Sequence, residues 1–118
     1  MTTASIAAIN LDSADPRALA TFWAGLLDGE IAFETPDYCA VRAGSLILGS
    51  VRIEGFEPAT GSSFGGSRQI HLDITVDDLD SAEVEALALG ATKDPHQPAP
   101  ESHRVMRDSA GHPFCIRR

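Results

Sequence analysis

Two helix starts set 63 residues apart constrain this chain more than any other feature of its sequence. Asp15 is a good N-cap and Pro16 a good first helical residue, after which Leu19, Phe22, Trp23, Leu26 and Leu27 recur at the spacing of one helical face. Asp77 and Asp78 precede a second helix whose first turn is acidic and whose end is marked by Gly90. Setting Asp15 on Asp78 also sets Ala8 on His71 and Asn10 on Asp73. Two copies of one unit are the simpler reading. The competing one is an ordinary α+β domain whose caps coincide by chance, and pattern alone does not separate the two.

The strand signals around each helix fit the repeat. Ile6 to Leu11 is short, apolar and bounded by Asp12, Ser13 and Asp15. Beyond the helix, which Gly29 is expected to end, come strand-like pieces at Glu30 to Glu34, Tyr38 to Arg42 and Ser45 to Ile53, the last two separated by the Ala43-Gly44 turn signal. Residues 54–68 are rich in Gly, Ser and Pro without sustained periodicity and read as a linker. The pattern then resumes with a strand at Gln69 to Val76, the second helix, and weaker strands at Thr92 to Asp94, Arg104 to Arg107 and Phe114 to Arg117. The expected organisation is therefore one domain over residues 1–118, with module one at 5–53 and module two at 69–118.

Composition narrows the functions open to such a chain. With 118 residues, 43% of them hydrophobic, one packed core is the default. Nine basic residues against 17 acidic ones give a formal charge of −8, which repels a phosphate backbone, so nucleic acid and anionic membrane are not expected partners. No apolar run approaches the roughly 20 residues that cross a bilayer, and no basic stretch leads into an apolar one at the amino terminus. A soluble, unexported protein is expected. Cys39 and Cys115 form no CxxC pair and suit a reduced cytoplasm, although their spacing leaves a bridge between them open.

Four strings in order carry a resemblance: Asp15-Pro16-Arg17-Ala18-Leu19-Ala20-Thr21-Phe22-Trp23, His71-Leu72-Asp73-Ile74-Thr75-Val76-Asp77-Asp78-Leu79-Asp80, Leu89-Gly90-Ala91, and Asp108-Ser109-Ala110-Gly111-His112-Pro113-Phe114-Cys115. Together they resemble the glyoxalase-like branch of the vicinal-oxygen-chelate superfamily over nearly the whole chain. The resemblance implies an α+β fold of two βαβββ modules whose curled sheets face a cavity, often completed in a homodimer.

Alternation along strands then sorts side chains by face. Leu72, Ile74 and Val76 form an apolar, helix-facing set, leaving His71, Asp73 and Thr75 for the cavity; Ala8 and Asn10 match them in module one. On the last strand Phe114 and Ile116 take the core side and Cys115 the cavity. The resemblance implies that metal-dependent members place one ligand on the first and one on the last strand of each module, here Ala8 and Gly49, then His71 and Cys115. Ala8 and Gly49 offer no donor, so two donors remain where a divalent site generally needs three or four. No metal and no cofactor are expected, though Asp73 near His71 and Cys115 leaves adventitious zinc open.

Other residues have competing roles. His71 is either a hydrogen-bonded structural residue or a ligand contact. Asp73 must find a partner, Arg42 or Arg104, or remain in a wet cavity. Phe22 and Trp23 belong to the core, while Tyr38 and the linker residues Phe56 and Phe64 are aromatic ligand candidates. His96, His103 and His112 are expected to be exposed, and only His103 starts a strand that can line a cavity. A binding module is the leading expectation, with Asn10, Tyr38, Ile47, His71, Asp73 and Cys115 holding a small, partly apolar organic molecule without transforming it. The alternative is a lyase, isomerase or dioxygenase using His71 as metal ligand, or His71 or Asp73 as acid or base. A structural or regulatory partner domain is the third class.

Overall fold

The computed structural model describes residues 2–58 and 70–118. Its contacts divide the chain into two compact units, Met1–Phe56 and Glu57–Arg118. In the first, β1 (Ile9–Ser13) leads into α1 (Pro16–Leu27), then β2 (Glu30–Thr35), β3 (Tyr38–Ala43) and β4 (Leu46–Arg52). The second repeats the order with β5 (Leu72–Thr75), α2 (Leu79–Leu89), β6 (Thr92–Lys93), β7 (His103–Arg107) and β8 (Pro113–Arg117). The sheets run β1-β4-β3-β2 and β5-β8-β7-β6, with β1 parallel to β4 and β5 parallel to β8.

Local chemistry explains most boundaries. The Asp15 carboxylate accepts the Ala18 amide at 3.1 Å, and Pro16 costs nothing at a position whose amide has no helical partner. Asp28, not Gly29, takes the left-handed conformation that ends α1, with φ of 53°. Gly29 serves close approach instead, because a Cβ there would lie 2.6 Å from the Arg42 carbonyl oxygen. Asp78 precedes α2 without capping an amide. Its carboxylate accepts the Ser81 hydroxyl at 2.6 Å, which holds the carboxyl below its ordinary range. Gly90 closes α2 with φ of 115°. No helix among the described residues is long and apolar enough to cross a membrane.

Side-chain hydrogen bonds account for two of the boundaries that differ from expectation. β1 starts later than Ile6 and runs through Asp12 and Ser13, which continue the ladder opposite Val51 and Arg52. Buried Ser13 is satisfied there by the Ser50 hydroxyl at 3.0 Å, so its polarity does not end the strand. β6 is only Thr92–Lys93 because the Gln97 side chain then takes over the pairing. It accepts the Val105 amide and donates to the Val105 carbonyl, both at 2.8 Å.

Each unit buries one face of its sheet. Ala20 of α1 packs with Cys39 and Val41 of β3, while Phe22 and Trp23 are buried and meet edge to face with ring centroids 5.1 Å apart. In the second unit Met106, Phe114 and Ile116 are fully buried. Their neighbours Leu72 and Ile74 share that face through the register but are only half-buried at the sheet edge. Arg104 reaches from β7 to α2, donating to Glu83 at 3.0 Å and Asp80 at 2.9 Å, and Lys93 meets Glu83 at 3.1 Å. Burial opposes ionisation of Glu83, yet the hydrogen bonds and charges of Lys93 and Arg104 outweigh it and hold the carboxyl below its ordinary range.

Candidate functional site

The opposite face of the second sheet gathers the polar residues. His71 immediately precedes β5, two residues before Asp73, which stands opposite Cys115 in the β5–β8 register. His71 Nε2 is 3.4 Å from Asp73 Oδ1, and one donor atom from each of His71, Asp73 and Cys115 lies within 4.8 Å of the others. Ser102, His103 and Arg117 complete the lining of a cleft of about 280 Å³. Exposure is graded across it. The His71 side chain is 28% exposed and that of Asp73 48%, while Cys115 is buried beneath them.

The expected arginine partners of Asp73 are committed elsewhere. Arg42 pairs with Glu30 at 3.5 Å, and Arg104 with Asp80 and Glu83. Its side-chain neighbour is instead His71, just before β5, since alternation brings positions 71 and 73 to one face. The cleft is lined by two imidazoles, a carboxylate, a guanidinium, a hydroxyl and a thiol. His96 is exposed as expected, whereas His103 and His112 are half-buried.

The first unit places its candidates differently. The Tyr38 hydroxyl donates to Asn10 Oδ1 at 3.0 Å, so these two residues close on each other. Gly49 makes room for that contact, because a Cβ there would lie 2.2 Å from Asn10 Oδ1 and 2.3 Å from Tyr38 Oη. Ile47 is half-buried on the same face, two residues along β4 from Gly49. Phe33, 58% exposed, has its ring centroid 6.2 Å from that of Tyr38. Phe56 is half-buried at the end of this unit, and Phe64 lies outside the described residues.

Register makes the correspondence between units explicit. Asn10 pairs with Gly49 as Asp73 pairs with Cys115, and Tyr38 pairs with Val51 as His103 pairs with Arg117. Positions that are Ala8, Asn10, Gly49 and Tyr38 in one copy are His71, Asp73, Cys115 and His103 in the other. Sequence reasoning named His103 but missed Ser102 and Arg117. Arg117 was legible by parity, two residues beyond Cys115 on its strand.

A family model described as a glyoxalase-like domain matches residues 8–117. The chain belongs to the glyoxalase-like domain family. Among solved structures, this glyoxalase-like chain is similar to a bleomycin-binding protein from Streptomyces verticillus complexed with copper(II)-bleomycin. That match has 22% identity over 99% of this chain and 98% of the other, with a TM-score of 0.61. It is also similar to a glyoxalase/bleomycin resistance protein/dioxygenase family enzyme from Burkholderia phytofirmans PsJN, at 21% identity over 96% and 97% of the two chains and a TM-score of 0.71. A genomically encoded fosfomycin resistance protein, FosX, from Listeria monocytogenes matches at 14% identity over 98% and 93%, with a TM-score of 0.72. At such identities the likeness establishes the glyoxalase-like fold and no more. A search of the curated proteins found no match.

Proposed function

We propose that this glyoxalase-like protein binds a small organic molecule in the cleft of its second unit and sequesters it, a natural product or antibiotic being the class in view. One observation carries the reading: His71, Asp73 and Cys115 converge on a cleft while the arginines expected to neutralise Asp73 are engaged elsewhere. A carboxylate left facing solvent beside an imidazole is free to take a hydrogen-bonding ligand. The structural neighbours that bind bleomycin or confer fosfomycin resistance support the class by analogy. Two copies associating through open sheet edges, in a cytoplasm that keeps Cys39 and Cys115 reduced, complete the proposal. Native mass spectrometry of protein purified from its own host should retain a small molecule that the His71→Ala and Asp73→Ala variants release. Protein without retained mass, and variants indistinguishable from the parent against a panel of polar natural products, would overturn it.

A second reading rests on the 3.4 Å contact between His71 and Asp73. A carboxylate beside an imidazole can fix its orientation, the arrangement of a general base. Turnover of a ligand found in the cleft, abolished in His71→Ala with binding retained, would favour an enzyme over a sequestering protein.

A further inference from the structure

The same cleft meets a condition that the sequence alone did not. A count of two metal donors becomes three once Asp73 is placed, because its carboxylate sits beside His71 and directly across the ladder from Cys115. The residues that would share a metal between both modules do not fit one, since Ala8 and Gly49 carry no donor and a side chain at Gly49 would strike Asn10 and Tyr38. Donors drawn from a single unit are a different arrangement.

We infer that His71, Asp73 and Cys115 form a tetrahedral zinc site within the second unit, with the fourth position open to the cleft. Zinc bonds of about 2.0–2.3 Å to nitrogen, oxygen and sulfur separate neighbouring ligand atoms by about 3.4–3.6 Å in a tetrahedron. The imidazole and carboxylate already stand 3.4 Å apart. With all three donors inside 4.8 Å of one another, the thiolate has no more than about 1.2–1.4 Å to close, a distance that side-chain rotation covers. A thiolate with an imidazole selects zinc over magnesium or calcium, which take oxygen donors. Three protein ligands and one open position make the kind of site that binds or polarises a small molecule, as opposed to one closed for structure. Partial exposure of His71 and Asp73 gives the ion a way in.

Cys39 supplies the contrast. It is fully buried on the helix-facing side of the first sheet, where burial and then the charge of Glu34 push its thiol up, and no donor group of three forms around it among the described residues.

Metal titration of the full chain tests the inference without any organic ligand, so it can fail while the ligand-binding proposal stands, or succeed where that fails. Calorimetry with Zn²⁺ alone should give one equivalent per chain, tightening as pH rises because the ligands release protons. Co²⁺ in its place should show intense tetrahedral visible bands and a thiolate charge-transfer band in the near ultraviolet. The Cys115→Ser variant should lose that band and Cys39→Ser keep it. Asp73→Asn, at a half-exposed carboxylate where an isosteric change leaves the fold intact, should weaken Zn²⁺ by at least about 10-fold, the loss that even partners outside the coordination sphere produce. Binding below one equivalent, a cobalt spectrum without the thiolate band, or affinity unchanged in Asp73→Asn would each overturn the site.

Discussion

Gly49 shows how much one missing methyl group can organise. Nothing larger fits under the Tyr38 hydroxyl while it donates to Asn10, so the glycine and the hydrogen bond imply each other. Gly49→Ala should therefore break the contact, at a cost of about 1 kcal/mol because both obstructing groups are ends of side chains that can swing away. In an Asn10→Ala background that loss should shrink, and a double-mutant cycle by denaturant melts reads the coupling. His71→Ala and Asp73→Ala should also change stability by roughly 1 kcal/mol or less, since both side chains border solvent. A loss as large as that from a core deletion would place them in a structural network.

At the scale of elements, burial rather than face decides which substitutions are severe. Phe114→Ala or Ile116→Ala on β8 should cost about 2–5 kcal/mol, whereas Leu72→Ala on the edge strand β5, half-buried on the same face, should cost less. Chemical denaturation of the three variants orders them. The α2–β7 contact adds a pH dependence. Because the Glu83 carboxyl is held below its ordinary range, its contribution is complete above that range and is lost as pH falls through the folded-state value. The melting temperature of Glu83→Gln should accordingly lie below that of the parent near neutrality and approach it in acid. Parity along strands was legible in the sequence because alternation is a local property, and so were the caps at Asp15 and Gly90. Partnerships were not. The capture of Arg104 by Asp80 and Glu83, the Gln97 side chain standing in for a strand, and the left-handed Asp28 all depend on residues brought together by folding.

For the molecule as a whole, duplication frames what remains open. Among the described residues each unit presents a four-stranded sheet whose edge strands pair on one side only, and Phe33 and Ile53 leave apolar surface exposed on the first. Equilibrium sedimentation at micromolar concentration should show a dimer, and a monomer alone would count against the association proposed above. The order of the two units was readable from matched caps, and the difference between them lies in which copy carries ionisable side chains at equivalent places. That asymmetry also restricts how the chain can change by mutation. A donor at position 49 has to displace Tyr38 and Asn10 from their hydrogen bond, so it comes at lower cost once 38 or 10 has been replaced. The hydrogen bond that joins β1 to β3 thus also sets the cost of placing a ligand group in the first half of the chain.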